Sequence, residues 1–115
     1  ENPYVWMKNA KTFIHSSKVE GLPTVLWEAL MLNKIIISSS CPTGPKEILS
    51  NPTSGLLFEV GDPVELADRV KEVLLNQNTK NEILKNIKIK IKSFESKNVI
   101  QKFYSVIEDT IKDYT

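Results

Sequence analysis

Three short runs of β-branched and aromatic residues, Thr12 to His15, Ile35 to Ser38 and Gly55 to Val60, are bounded by Ser, Gly, Pro or Asn. Stretches that open with helix-start signals separate them. Strands that alternate with helices need crossover connections, and such crossovers build a parallel sheet covered by helices. The expected fold class is therefore α/β, a parallel sheet with flanking helices.

The helix starts are read from residues able to serve the orphan N–H groups of a first turn. Asn2 precedes Pro3. Gly44, Pro45 and Glu47 combine a permissive cap, a proline at the first helical position and a first-turn acid, and Asp62, Pro63 and Glu65 repeat that pattern. Thr79 with Glu82 has capping-box spacing, and Ser96 is placed to cap a last helix. Val64, Ala67, Val70 and Leu74 predict one amphipathic stripe, and Ile100, Phe103, Ile107, Ile111 and Tyr114 another. Ile83, Ile87 and Ile91 also suit a helix. The run from Ile87 to Lys92 alternates Ile with Lys at the strand period, but is read here as helix.

A length of 115 residues, 41% of them hydrophobic and 25% charged, is that of one globular unit or part of one. The net charge of +1 gives no field that would favour nucleic acid. Cys41 has no partner for an internal disulfide, which suits a reducing, cytoplasmic setting. No apolar run reaches the ~20 residues of a membrane-spanning helix. The chain opens at Glu1 without an initiator methionine and enters a helix signal at once, so it reads as an excerpt of something longer.

The segment richest in chemistry is Ser16 to Leu30, which runs from a strand end through a Gly/Pro turn into a helix. Open α/β sheets bind ligands outside the carboxyl ends of their strands, where a helix N-terminus offers free N–H groups to phosphate. The helix starting at Pro23 places Leu22 at its cap, and that side chain cannot accept a hydrogen bond. A bound diphosphate would satisfy those amides; water or the Thr24 hydroxyl would do so equally well. Glu28 is the single charge between Pro23 and Asn33, on a helix otherwise apolar enough to be largely buried. Its carboxylate needs donors, from sugar or ribose hydroxyls or from a neighbouring lysine.

Glu20 and Glu28, with seven residues between them in Glu-Gly-Leu-Pro-Thr-Val-Leu-Trp-Glu, resemble the Glu-x7-Glu motif of retaining GT-B glycosyltransferases of family 4, the group 1 type. Asn33 to Ser38 resembles the strand that follows in that family. Cys41 to Leu49 is similar to its Cys-Pro-Ser-Gly-Pro-Arg-Glu-Ile-Leu block, and Gly55 to Phe58 with Gly61 to Pro63 continues the match over residues 3–75. The resemblance implies part of a Rossmann-like, nucleotide-sugar-binding GT-B domain with a helical C-terminal tail. Residues 1–62 would hold the donor site and residues 63–115 the terminal helices of one incomplete domain.

The same resemblance makes Glu20 the catalytic residue that contacts the transferred sugar. It gives Glu28 the ribose hydroxyls and sets Gly21, Leu22, Pro23 and Thr24 against sugar and diphosphate. The donor would be a nucleoside-diphosphate sugar. The acceptor, a glycan or lipid-linked glycan of bacterial surface polysaccharide synthesis, would be held by an N-terminal domain absent from these residues. No cofactor and no metal are implied. The family's basic pair for the leaving diphosphate has no counterpart here, so residues 1–115 alone are expected to be inactive. The alternatives are a non-catalytic nucleotide-binding remnant, an interaction module, or an unrelated flavodoxin-like binder.

His15 has no Cys, Asp or second His nearby in sequence and is read as a packing or lining residue. Cys41 is read as a turn residue. Lys85, Lys88, Lys90, Lys92 and Lys97 concentrate positive charge late in the chain, which raises peripheral association with the inner face of a membrane. Their alternating spacing favours a solvated helix face instead.

Overall fold

The computed structural model describes residues 2–21 and 23–96, with side chains through residue 94. Leu22, Lys97 and the terminal stripe from Ile100 to Tyr114 lie outside the described residues. Helix α1 (Pro3–Asn9) starts where Asn2 caps the Tyr4 amide with its side-chain oxygen, and strand β1 (Thr12–His15) follows. Helix α2 (Thr24–Met31) leads to β2 (Ile35–Ser39), helix α3 (Pro45–Leu49) to β3 (Gly55–Phe58), and α4 (Pro63–Leu75) to α5 (Gln77–Ser96).

The three strands form one parallel sheet in the order β1-β2-β3, with Thr12 opposite Ile35 and Ile36 opposite Gly55. Every residue of central β2 is buried, as expected of a strand covered on both faces. Its Ile35, Ile36 and Ile37 join Leu26, Ala29 and Leu30 of α2, Ile48 and Leu49 of α3, Phe58, Val73, Ile83 and Ile87 in one core. Helix α2 ends with two backbone bonds, Lys34 N–H to Ala29 O at 3.0 Å and Asn33 N–H to Leu30 O at 2.8 Å. Asn33 supplies the positive φ of 58° that such a helix stop requires.

Four expectations about the helices need correction. The α2 cap is Pro23, one residue later than expected, and the buried part of that helix is one face only, with Thr24 and Met31 exposed. In α4, Val64 is 70% and Leu74 61% exposed, while Leu66, Val70 and Val73 face the core. Both stripes satisfy the helical period, and the choice between them is tertiary. Asp62 accepts from the Val64 and Glu65 amides, and Arg69 donates to Leu57 O at 2.9 Å, so α4 is anchored to β3 along that side. Helix α5 starts before Thr79: the Asn76 side chain accepts from the Thr79 amide and acts as the cap. Ser96 is the last described residue of α5, and the helix it was expected to cap lies outside the described residues.

The alternating Ile/Lys run is helical. Ile87 is fully buried and Ile91 partly so, whereas Ile89 is 49% exposed. Lys90 turns inward at 6% exposure and its ammonium donates to Ile48 O and to Ser50 O, carbonyls at the end of α3 that lack helical partners. Burial pushes its pKa below the usual lysine range. Trp27 and Phe94 meet edge to face, centroids 4.5 Å apart, and tie α2 to α5. Among the described residues no helix is long and apolar enough to cross a membrane.

Candidate functional site

Parallel neighbours in register present their side chains to the same face, and here the register pairs His15 with Ser38 at the carboxyl ends of β1 and β2. The His15 ring is buried, with Nδ1 3.0 Å from Ser38 Oγ. The loop after β1 then turns back over the strand end. Glu20 Oε1 lies 3.1 Å from His15 Nε2 and accepts from Ser17 Oγ at 2.6 Å, and Ser17 Oγ lies 3.2 Å from the same ring nitrogen. Two hydroxyls, one from the last residue of β2 and one from the turn after it, fasten the loop backbone: Ser39 Oγ donates to Ser17 O at 2.5 Å, and Thr43 Oγ1 to Glu20 O at 2.6 Å. These contacts favour the charged carboxylate, so Glu20 is held below the ordinary glutamate range, first by Ser17 and then by His15, against a smaller opposing effect of desolvation.

Beside this loop, α2 begins without a side-chain cap. Among the described residues the Thr24 and Val25 amides have no acceptor. Gly44, the cap of α3, packs on Pro23 so closely that a Cβ there would lie 2.5 Å from Pro23 Cδ. The starts of α2 and α3 are thereby locked together. Gly21 is exposed, and a Cβ on it would meet nothing within 4 Å.

Glu28 is half-buried, one turn beyond exposed Thr24 on the same side of α2. Among the described residues its carboxylate has no hydrogen-bond or ion-pair partner, so the neighbouring lysine considered from sequence is not found there. Leu22 lies outside the described residues. Among those described, no group of three His, Cys, Asp or Glu side chains could hold a metal ion.

A loop held over the carboxyl ends of parallel strands is where open α/β sheets commonly take ligands. The family model "Glycosyl transferases group 1" matches residues 1–90. This chain belongs to the group 1 glycosyltransferases. Over 109 residues, 95% of the chain, it is 34% identical to the GalNAc-alpha-(1->4)-GalNAc-alpha-(1->3)-diNAcBac-PP-undecaprenol alpha-1,4-N-acetyl-D-galactosaminyltransferase of Campylobacter jejuni, covering 30% of that protein. A second Campylobacter jejuni protein, the N-acetylgalactosamine-N,N'-diacetylbacillosaminyl-diphospho-undecaprenol 4-alpha-N-acetylgalactosaminyltransferase, is 26% identical over 82% of the chain and 26% of its own length. An uncharacterised glycosyltransferase of Methanocaldococcus jannaschii is 49% identical over 49 residues, 12% of its length. The chain spans 30% or less of the length of these curated relatives.

Within this group 1 glycosyltransferase chain, sequence reasoning missed His15 as a partner of Glu20, together with Ser17, Ser38, Ser39 and Thr43. Two signals pointed toward the hydroxyls: the Ser38-Ser39 pair closing an otherwise apolar strand, and Thr43 in the Cys-Pro-Thr-Gly-Pro block. Neither identifies a partner, because each contact joins residues 22 or 23 positions apart. Cys41 is buried in the turn after β2, as its sequence position implied.

Proposed function

We propose that this chain is the donor-binding part of a glycosyltransferase that moves a sugar from a nucleoside diphosphate to a glycan or lipid-linked acceptor. In this reading the configuration at the sugar carbon is retained, no metal takes part, and the product enters bacterial surface polysaccharide. The donor lies along the outward side of the α2 start. Glu20 receives the sugar hydroxyls, the Thr24 and Val25 amides receive the diphosphate beside Gly21, Leu22 and Pro23, and Glu28 receives the ribose hydroxyls.

The observation that carries this reading is the Glu28 carboxylate, without a partner among the described residues, one turn from a helix start that has no side-chain cap. A rise of ~6 Å per four helical residues suits the step from diphosphate to ribose. The Gly21 position, where the protein leaves open space, adds room for the sugar. The relatives' undecaprenol-linked substrates favour a lipid-linked acceptor, and the exposed Lys85, Lys88 and Lys92, on one side of helical α5, favour contact with an anionic membrane. Residues 1–115 hold only the donor side and do not transfer sugar by themselves; the remaining machinery belongs to the complete enzyme.

Calorimetric titration with nucleoside diphosphates tests the site. Glu28→Ala should weaken binding about tenfold or more, the loss of a pair of charge-assisted hydrogen bonds. Binding unchanged in that variant, or no binding by the wild-type protein at millimolar ligand, would overturn the assignment. Binding without transfer by the full-length protein would leave a non-catalytic nucleotide module.

A further inference from the structure

The Glu20 carboxylate is used asymmetrically. Oε1 takes both the Ser17 hydroxyl and His15 Nε2, whereas Oε2 has no partner among the described residues. Counting hydrogens fixes the roles. An ionised carboxylate only accepts, and Ser17 spends its single hydroxyl hydrogen on Oε1 at 2.6 Å. Nε2 therefore faces two acceptors, Glu20 Oε1 and Ser17 Oγ, and must itself carry a hydrogen. On the far side of the ring, the Ser38 hydroxyl lies 3.0 Å from both Nδ1 and Ser39 O. The hydroxyl donates to Ser39 O, and its oxygen stays within reach of Nδ1.

We propose that His15 is a positioning residue for Glu20: its Nε2–H, together with the Ser17 hydroxyl, occupies Oε1 and leaves Oε2 as the oxygen presented to a hydroxyl of the donor sugar. This rests on the donor-site reading of Glu20. Ser38 holds the opposite ring nitrogen from the neighbouring strand. The ring is buried between the two strand ends and cannot swing away without leaving the core, so the carboxylate is set before ligand arrives. Among the described residues His15 is the single titratable group in contact with Glu20; its other neighbours, Ser17 and Thr43, are neutral.

The two amide substitutions at position 15 separate positioning from packing. The Gln amide nitrogen reaches about as far as Nε2, the Asn amide only as far as Nδ1. In the full-length protein, with nucleoside-diphosphate sugar and acceptor, His15→Asn should lower kcat/KM about tenfold to a hundredfold while nucleoside-diphosphate affinity stays within about twofold. His15→Gln should recover most of that loss. The acid limb of kcat/KM, and the midpoint of Glu20 followed by carboxyl 13C NMR, should move to higher pH in His15→Asn and less in His15→Gln. Equal losses in both variants that follow their melting temperatures would overturn the proposal. If the wild type neither binds nucleotide nor transfers sugar, the donor-site reading fails, yet the NMR midpoint still decides the contact: an unchanged value in His15→Asn refutes it.

Discussion

Gly44 has φ +105° and the Pro23 ring against its α-carbon, so one residue both starts α3 and seats the start of α2. A methyl group there meets strained backbone and a 2.5 Å approach at once. Gly44→Ala should destabilise the protein by about 2–4 kcal/mol in urea denaturation, since left-handed strain alone costs ~1–3 kcal/mol. Gly21→Ala, with open space around its Cβ position, should leave the fold within about 0.5 kcal/mol and affect donor binding only. Glu20 carries a pH dependence. A carboxyl held below its ordinary range adds stability at pH above its unfolded pKa, and that contribution is lost as pH falls through the lower folded value. Urea denaturation of Glu20→Gln across acid pH should therefore show a smaller decline below the ordinary glutamate range than the wild type. Glu20 and Glu28 were legible as a spaced pair in the sequence. The buried His15 between Glu20 and Ser38 was not, because that contact exists only once β1 and β2 are in register.

Helix α5 shows what periodicity can and cannot decide. A strand from Ile87 to Lys92 would put Ile87, Ile89 and Ile91 on one face, whereas the helix buries Ile87 and exposes Ile89. Ile87→Ala should cost about 2–4 kcal/mol and Ile89→Ala under about 0.5 kcal/mol in thermal or chemical denaturation. Similar losses at both sites would contradict the helix. The alternation is possible because Lys90 spends its charge inside, on the end of α3, where the helix dipole favours a cation. In α4 the element was legible and its inward face was not. Val70 belongs to both candidate stripes, and the tie from Arg69 to Leu57 O goes with the face carrying Leu66 and Val73.

Across the whole molecule, the buried central strand organises everything else. Helices from both sides of the sequence, α2 and α5, rest on β2, and its last residues supply Ser38 and Ser39 to the site. Amides of Ile36 and Ile37 should exchange with solvent slowest, and those of exposed α1 fastest among the helices, when followed by mass spectrometry or NMR. The order of strands and helices, their parallel arrangement and the position of the Glu20 loop at the strand ends were determined by the sequence alone. Caps, turns and branched runs act on the backbone within a few residues, so these features are local. Tertiary structure alone decided which helical face turns inward, which lysine is buried, and that the histidine of β1 meets a serine of β2. Those outcomes depend on side chains that meet only after the sheet has brought distant segments together, where burial and a limited supply of hydrogens select one arrangement.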